Sequence, residues 1–218
     1  MEPTEENRRA WDEAHRRRAE ATAGGLGMPD QIRELLPDVA GKHVLHLQCG
    51  TGESTAKLVE LGALVSAVDI SADALEVARD RAPDVAYVHA DVHDLPLELR
   101  RARFDLAYTG GGVLPWLHDL DAWASGIASA LKPGGSFLLY DTHPVSSRVD
   151  HLGHWRDDYF DTDQDVPERH WQLAQIFEAL TNAGFRVTRL AEFKTLYNWI
   201  QRDRRVPWDF ALLAEKGK

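Results

Sequence analysis

Gly50-Thr51-Gly52, Asp69 and Asp91 each close an apolar run of the sequence. Their residue types suggest one kind of ligand. Glycine lets a backbone approach a bound molecule closely and take positive φ. A carboxylate at the end of the following strand can accept both hydroxyls of a ribose. Asp91 ends a third run in the same way, and Val92 beside it can flank a flat base. Each also has an ordinary reading: a glycine pair that serves only a turn, a polar residue ahead of the helix cap Ser71, a turn residue before His93. Gly, Asp and Asp at three successive strand ends are more specific than any one of them.

The elements that must position these residues follow from hydrophobic periodicity. Residues 5–21 are rich in Ala, Glu and Arg and predict a helix, broken by Gly24-Gly25 and Gly27. A short helix is expected from Met28-Pro29 to Leu36-Pro37. From Gly41 the chain alternates. Strands are predicted at 44–47, 64–70, 85–89, 104–109 and 137–140, with helices at 54–61, 73–82 and from Asp119 or Asp121 to Leu131. Gly62 and Pro83 are stops, and Lys132-Pro133-Gly134-Gly135 is a turn. A helix over 168–183 and strands at 185–193 and 209–215 complete the chain. Strands alternating with helices make a mostly parallel sheet covered on both faces. No helix separates the last two strands, which predicts an antiparallel pair. Ligands of such sheets lie beyond the carboxyl ends of the strands.

Composition narrows the function. The 218 residues suit one domain with a substantial core. A formal charge of −10 argues against a broad phosphate-binding surface, so nucleic acid is not expected as partner. The single cysteine, Cys49, cannot form an intrachain disulfide. The charged first residues lack a signal-peptide core, and no apolar run reaches the roughly 20 residues that span a bilayer. No membrane partner and a cytoplasmic location are the resulting expectations.

The stretch VLHLQCGTGESTAKLVELGALVSAVDIS is similar to the cofactor-binding core of class I S-adenosylmethionine-dependent methyltransferases. ADVHDLP, FDLAYTGGGVLPWL, LKPGGSFLLYD and the ending VPWDFALLAEK resemble the same family's later strands and loops. The resemblance implies an α/β, three-layer Rossmann-like sandwich of seven strands in order 3-2-1-4-5-7-6, the last antiparallel. It also implies S-adenosylmethionine as cofactor and S-adenosylhomocysteine as product, while the aromatics of the irregular segment after the fifth strand suggest a small or medium organic acceptor. One domain is expected: a helical cap (1–40), the cofactor-binding core (41–141), a substrate-side insertion (142–167) and the C-terminal helix with two strands (168–218). Gly50 and Thr51 would approach the methionine part of the cofactor. Asp69 would bind the ribose diol with Ile70 on the adenine, Asp91 would meet the adenine amino group beside Val92, and Thr109 would sit near the transferable methyl.

Two positions depart from the family pattern: His46 stands where an acid is usual, and Gln48 where a glycine is. The acid normally helps to hold the cofactor's amino group. His46 can take over through a neutral nitrogen acceptor, or another group can do the job. Two other functions compete with methyl transfer. A non-catalytic sensor of the same cofactor would keep Asp69 and Asp91. A nicotinamide-dependent oxidoreductase would need the third glycine of the dinucleotide fingerprint, and this loop lacks it.

Methyl transfer from a sulfonium needs alignment more than acid–base chemistry, and a base only where the acceptor must lose a proton. His143, directly after the fifth strand, is the first candidate base; it reads equally as a turn histidine ahead of Pro144. His118 is the second. Acceptor selection is expected from Trp11 and His15 in the N-terminal helix, from Trp116, and from Trp155 and Tyr159 in the insertion, where the aromatics can equally anchor the loop. No metal site is expected; His151 and His154 read as a solvated loop.

Overall fold

The computed structural model describes residues 5, 8, 9, 11–13, 27–162, 168–196 and 202–218. Near-continuous runs of Val, Leu and Ala suit strands buried on both faces, and these form the sheet. The strands are β1 (His43–Leu47), β2 (Leu64–Asp69), β3 (Ala86–His89), β4 (Phe104–Gly110), β5 (Leu131–Thr142), β6 (Phe185–Phe193) and β7 (Asp209–Lys216). The helices are α1 (Asp30–Arg33), α2 (Glu53–Glu60), α3 (Ala72–Arg81), α4 (Leu120–Ala130) and α5 (Leu173–Asn182), with 3-10 turns at Leu114–Trp116 and Pro144–Arg148. The sheet order is β3-β2-β1-β4-β5-β7-β6. Neighbours from β3 to β5 pair in parallel, and β7 runs antiparallel to both β5 and β6. This is the sheet that the sequence resemblance implies.

The period-2 alternation of side chains splits the core into two layers. Leu45, Leu47, Phe137 and Leu139 pack with Trp123, Ile127 and Ile176 on one face. Val44, Tyr108, Leu138 and Tyr140 pack with Leu58 and Leu75 on the other. Caps fix where the helices begin. Ser71 Oγ accepts the Ala74 N–H at 3.1 Å, and Asp119 Oδ1 accepts the Ala122 N–H at 2.8 Å. Such caps contribute about 1 kcal/mol each.

Three elements depart from expectation by more than one residue. α1 is a single turn, because Pro29 starts it and the chain leaves helical hydrogen bonding after Leu36. β5 begins at Leu131, and Lys132–Gly135 bulge out between the pairs Phe104↔Leu131 and Leu106↔Ser136. α5 begins at Leu173, since residues 168–172 are committed elsewhere. The Arg169 N–H donates to Pro115 O at 2.6 Å, Trp171 Nε1 donates to Leu117 O at 2.9 Å, and Gln172 with Gln175 forms a capping box. Among the described residues no helix is long and apolar enough to cross a membrane.

Candidate functional site

A cleft of about 990 Å³, open to solvent, lies at the carboxyl ends of β1, β2, β4 and β5 and beside the segment after β3. Residues singled out at the strand ends of the sequence converge on it. His46, Gln48, Gly50, Thr51, Asp69, Ile70, Asp91, Val92, Trp11 and Trp116 all line it.

The loop between β1 and α2 forms the floor. Gln48 and Gly50 have φ of 51° and 53°. Gly52, at φ 82°, starts α2, and a Cβ there would lie 2.9 Å from Ala78 Cβ. Glycine at this position therefore lets α2 and α3 approach each other as well as turning the chain. Asp69 braces the loop: its Oδ2 accepts the Gly50 N–H at 2.7 Å and its Oδ1 the Ser71 N–H at 2.9 Å. Thr51 Oγ1 donates to Glu53 at 2.8 Å, and Glu53 lies 3.1 Å from Arg81.

His46 is 2% exposed. Its Nδ1 lies 2.7 Å from Thr55 Oγ1, and its ring centroid lies 5.0 Å from that of Tyr108. Burial disfavours the imidazolium and lowers its pKa to about 3, so the ring is neutral at physiological pH. Burial likewise raises the Cys49 thiol, with the Asp69 charge adding to the effect. Asp91 Oδ1 accepts the His93 N–H at 2.9 Å and contacts His93 Nδ1 at 2.7 Å. The His118 N–H donates to His93 Nε2 at 3.3 Å, and the two rings stand 3.8 Å apart.

The wall after β4 is built on glycine. The Tyr140 ring lies against Gly110, where a Cβ would overlap both Tyr140 Cδ1 and the Tyr140 carbonyl oxygen. Gly111 and Gly112 both have φ above 90°. Beneath this wall Asp141 is 1% exposed. Its Oδ2 accepts the Val113 and Leu114 N–H groups at 2.8 Å each, and its Oδ1 accepts its neighbour Thr142 at 2.6 Å. Burial raises its pKa to about 6, against the pull of these amides and that of Gly112. Trp11 meets Trp116 edge-on, with centroids 5.2 Å apart, and Asp12 Oδ1 accepts the Ser71 hydroxyl at 2.6 Å.

Several expected residues stand elsewhere. Thr109 is fully buried, off the lining, and donates to Gln48 Oε1 at 3.1 Å. Glycines therefore take the place beside the cleft expected for Thr109. His118 stands behind His93 rather than on the cleft, and burial lowers its pKa, with His93 adding to this. His143 is also off the cleft. Its N–H donates to Trp208 O at 2.9 Å, its Nδ1 accepts the Val145 N–H at 3.1 Å, and its Nε2 lies 3.0 Å from Glu192 Oε1. Trp155 is 60% exposed and bridges to Val149, while Tyr159 packs edge-on to Phe160; neither reaches the cleft. His15 lies outside the described residues. Sequence reasoning missed Glu53, His93 and Tyr140 on the lining, and Asp141 beneath it. Asp141 carried a legible signal, an acid at a strand end like Asp69 and Asp91. The other three carried none.

Residues 44–135 match the model of a methyltransferase domain family. The chain is 34% identical over 156 residues to an uncharacterized methyltransferase of Synechocystis sp., covering 68% of this chain and 69% of that protein. It is 31% identical over 138 residues to an O-methyltransferase of Penicillium expansum, of which it spans 49%. The S-adenosylmethionine-dependent methyltransferase of Mesorhizobium loti superposes with a TM-score of 0.72 at 26% identity, over 86% of this chain and 96% of that one. In sequence and in strand order alike, this chain belongs to the class I S-adenosylmethionine-dependent methyltransferases.

Proposed function

We propose that this methyltransferase binds its cofactor along the described cleft and methylates a small or medium organic acceptor admitted past Trp11 and Trp116. The observation that carries the reading is the convergence of the Gly50 loop, Asp69 and Asp91 on one cleft at the carboxyl ends of the strands. The lining fits such a cofactor. Asp69 would hold the ribose diol. Asp91, Val92 and Ile70 offer one carboxylate and two apolar side chains to an adenine. His46 and Gln48 would meet the methionine end. Glu53, Asp69 and Asp91 give the lining an acidic character that suits a ligand carrying sulfonium and ammonium charges and opposes a pyrophosphate.

The bound cofactor supplies a methyl group already activated on sulfur. The protein's part is to hold the acceptor atom in line with that methyl and to keep water out. Val113, Trp116 and Leu117 form an apolar wall suited to an organic acceptor. Asp141 ties this wall to the end of β5 through the Val113 and Leu114 amides.

Calorimetry tests the assignment. S-adenosylmethionine and S-adenosylhomocysteine are expected to bind and NAD not to bind, and binding of NAD alone would overturn the reading. With a panel of phenols, amines and carboxylic acids, Trp116→Ala is expected to change acceptor KM more than cofactor affinity.

A further inference from the structure

The two positions that depart from the family pattern, His46 and Gln48, each bond to a buried hydroxyl, and those hydroxyls decide what the two side chains offer the cleft. Thr55 is fully buried on α2, and its hydroxyl meets His46 Nδ1. A hydroxyl carries one proton to donate, and a buried donor left unmade costs free energy. Were Nδ1 the donor, the Thr55 proton would face no acceptor among the described residues. With Thr55 donating to Nδ1 both groups are satisfied, and the neutral ring carries its proton on Nε2. The ring is buried yet lines the cleft, and Nε2 is the nitrogen not spent on Thr55. The same accounting holds for Gln48. The fully buried Thr109 hydroxyl donates to Gln48 Oε1, which leaves the amide NH₂ as the free end of a side chain on the same cleft.

We propose that His46 and Gln48 hold the carboxylate of the cofactor's methionine end, as N–H donors whose orientation is set by Thr55 and Thr109. Of the two alternatives open in the sequence, this sets aside His46 as an acceptor for the amino group and leaves that group to another residue. It rests on the reading of the cleft as the cofactor site. A neutral donor favours an anion and does nothing for an ammonium.

The test pairs calorimetry with nitrogen-15 NMR of the imidazole. The ligands are S-adenosylhomocysteine, its decarboxylated analogue and its deaminated analogue. Wild type is expected to bind the decarboxylated compound about tenfold or more weakly than S-adenosylhomocysteine, the loss expected for hydrogen bonds to a charged group. His46→Phe is expected to weaken S-adenosylhomocysteine and the deaminated analogue about tenfold and the decarboxylated one less than about twofold. The spectrum of wild type at pH 7 should show protonated Nε2 and bare Nδ1. Thr55→Ser should preserve that pattern and Thr55→Val should disturb it. Protonated Nδ1 in wild type, or a His46→Phe loss as large for the decarboxylated ligand as for S-adenosylhomocysteine, overturns the proposal. Failure of wild type to bind S-adenosylhomocysteine at all overturns instead the cofactor reading beneath it.

Discussion

Asp69 Oδ2 accepts the Gly50 N–H at 2.7 Å, so the acid ending β2 and the glycine loop ending β1 are one mechanical unit. Removing the carboxylate leaves the Gly50 and Ser71 amides without this acceptor, besides taking away the proposed ribose ligand. Asp69→Ala is expected to lower S-adenosylhomocysteine affinity about 10- to 100-fold and to cost about 1–3 kcal/mol of stability. Asp69→Asn, which keeps one acceptor oxygen, should lose less of both. Calorimetry and urea unfolding measure the two effects separately.

Asp141 supports the opposite wall through the amides of Val113, Leu114 and Thr142. Asp141→Ala strands several buried donors at once and is expected to cost about 2–4 kcal/mol. Hydrogen exchange should speed up at those amides first, while the β1–β2 end of the sheet stays protected. Uniform loss of protection across the sheet would show that Asp141 supports the whole fold rather than this wall.

Gly110 has no room for a methyl group beside Tyr140. Gly110→Ala is expected to destabilise by about 3 kcal/mol or more, because the added Cβ would overlap the Tyr140 carbonyl oxygen as well as its ring, and to weaken cofactor binding because that ring lines the cleft. Tyr140→Leu in the same background relieves the ring overlap alone and should recover only a minor part of the stability. Full recovery would show that the backbone overlap costs nothing.

Two buried groups give stability opposite pH slopes. The folded pKa of His46 falls from 6.5 to about 3. Its contribution is therefore complete above 6.5 and is lost as pH falls toward 3, by about 1.4 kcal/mol per pH unit. The folded pKa of Asp141 rises from 3.8 to about 6. Its contribution is complete below 3.8 and is lost as pH rises through about 6. Between pH 4 and 6 the slopes oppose each other. Relative to wild type, His46→Phe should lose stability as pH rises through that window, and Asp141→Asn should gain it. Urea midpoints at pH 4, 5, 6 and 7 would reveal the signs.

Trp155 is exposed and off the cleft. Trp155→Ala is expected to change stability by less than about 0.5 kcal/mol and cofactor affinity not at all. Trp116→Ala, by contrast, should alter acceptor KM. A large effect of Trp155→Ala on acceptor KM would return the insertion to the acceptor site.

The family resemblance of the sequence implied the sheet order, and the sequence itself marked the strands, the Ser71 cap and several residues of the cleft lining. These depend on local signals: apolar runs of strand length, glycines where φ must be positive, and acids at strand ends. Gly50, Asp69 and Asp91 were legible because strand ends in a parallel sheet converge on one edge whatever fills the space between them. Tertiary structure alone decided the rest. Thr109, expected at the methyl group, is turned to Gln48. His143, expected to face the site, is turned to Glu192 and Trp208. A one-residue change of direction at a strand end moves a side chain to the other face, and periodicity does not record it. The start of α5 was likewise set by Arg169 and Trp171 bonding to the loop after β4, partners more than fifty residues away. The tautomer of His46 depends on a hydroxyl from a different element. Hydrogen-bond accounting of that kind becomes possible only when the partners are in contact.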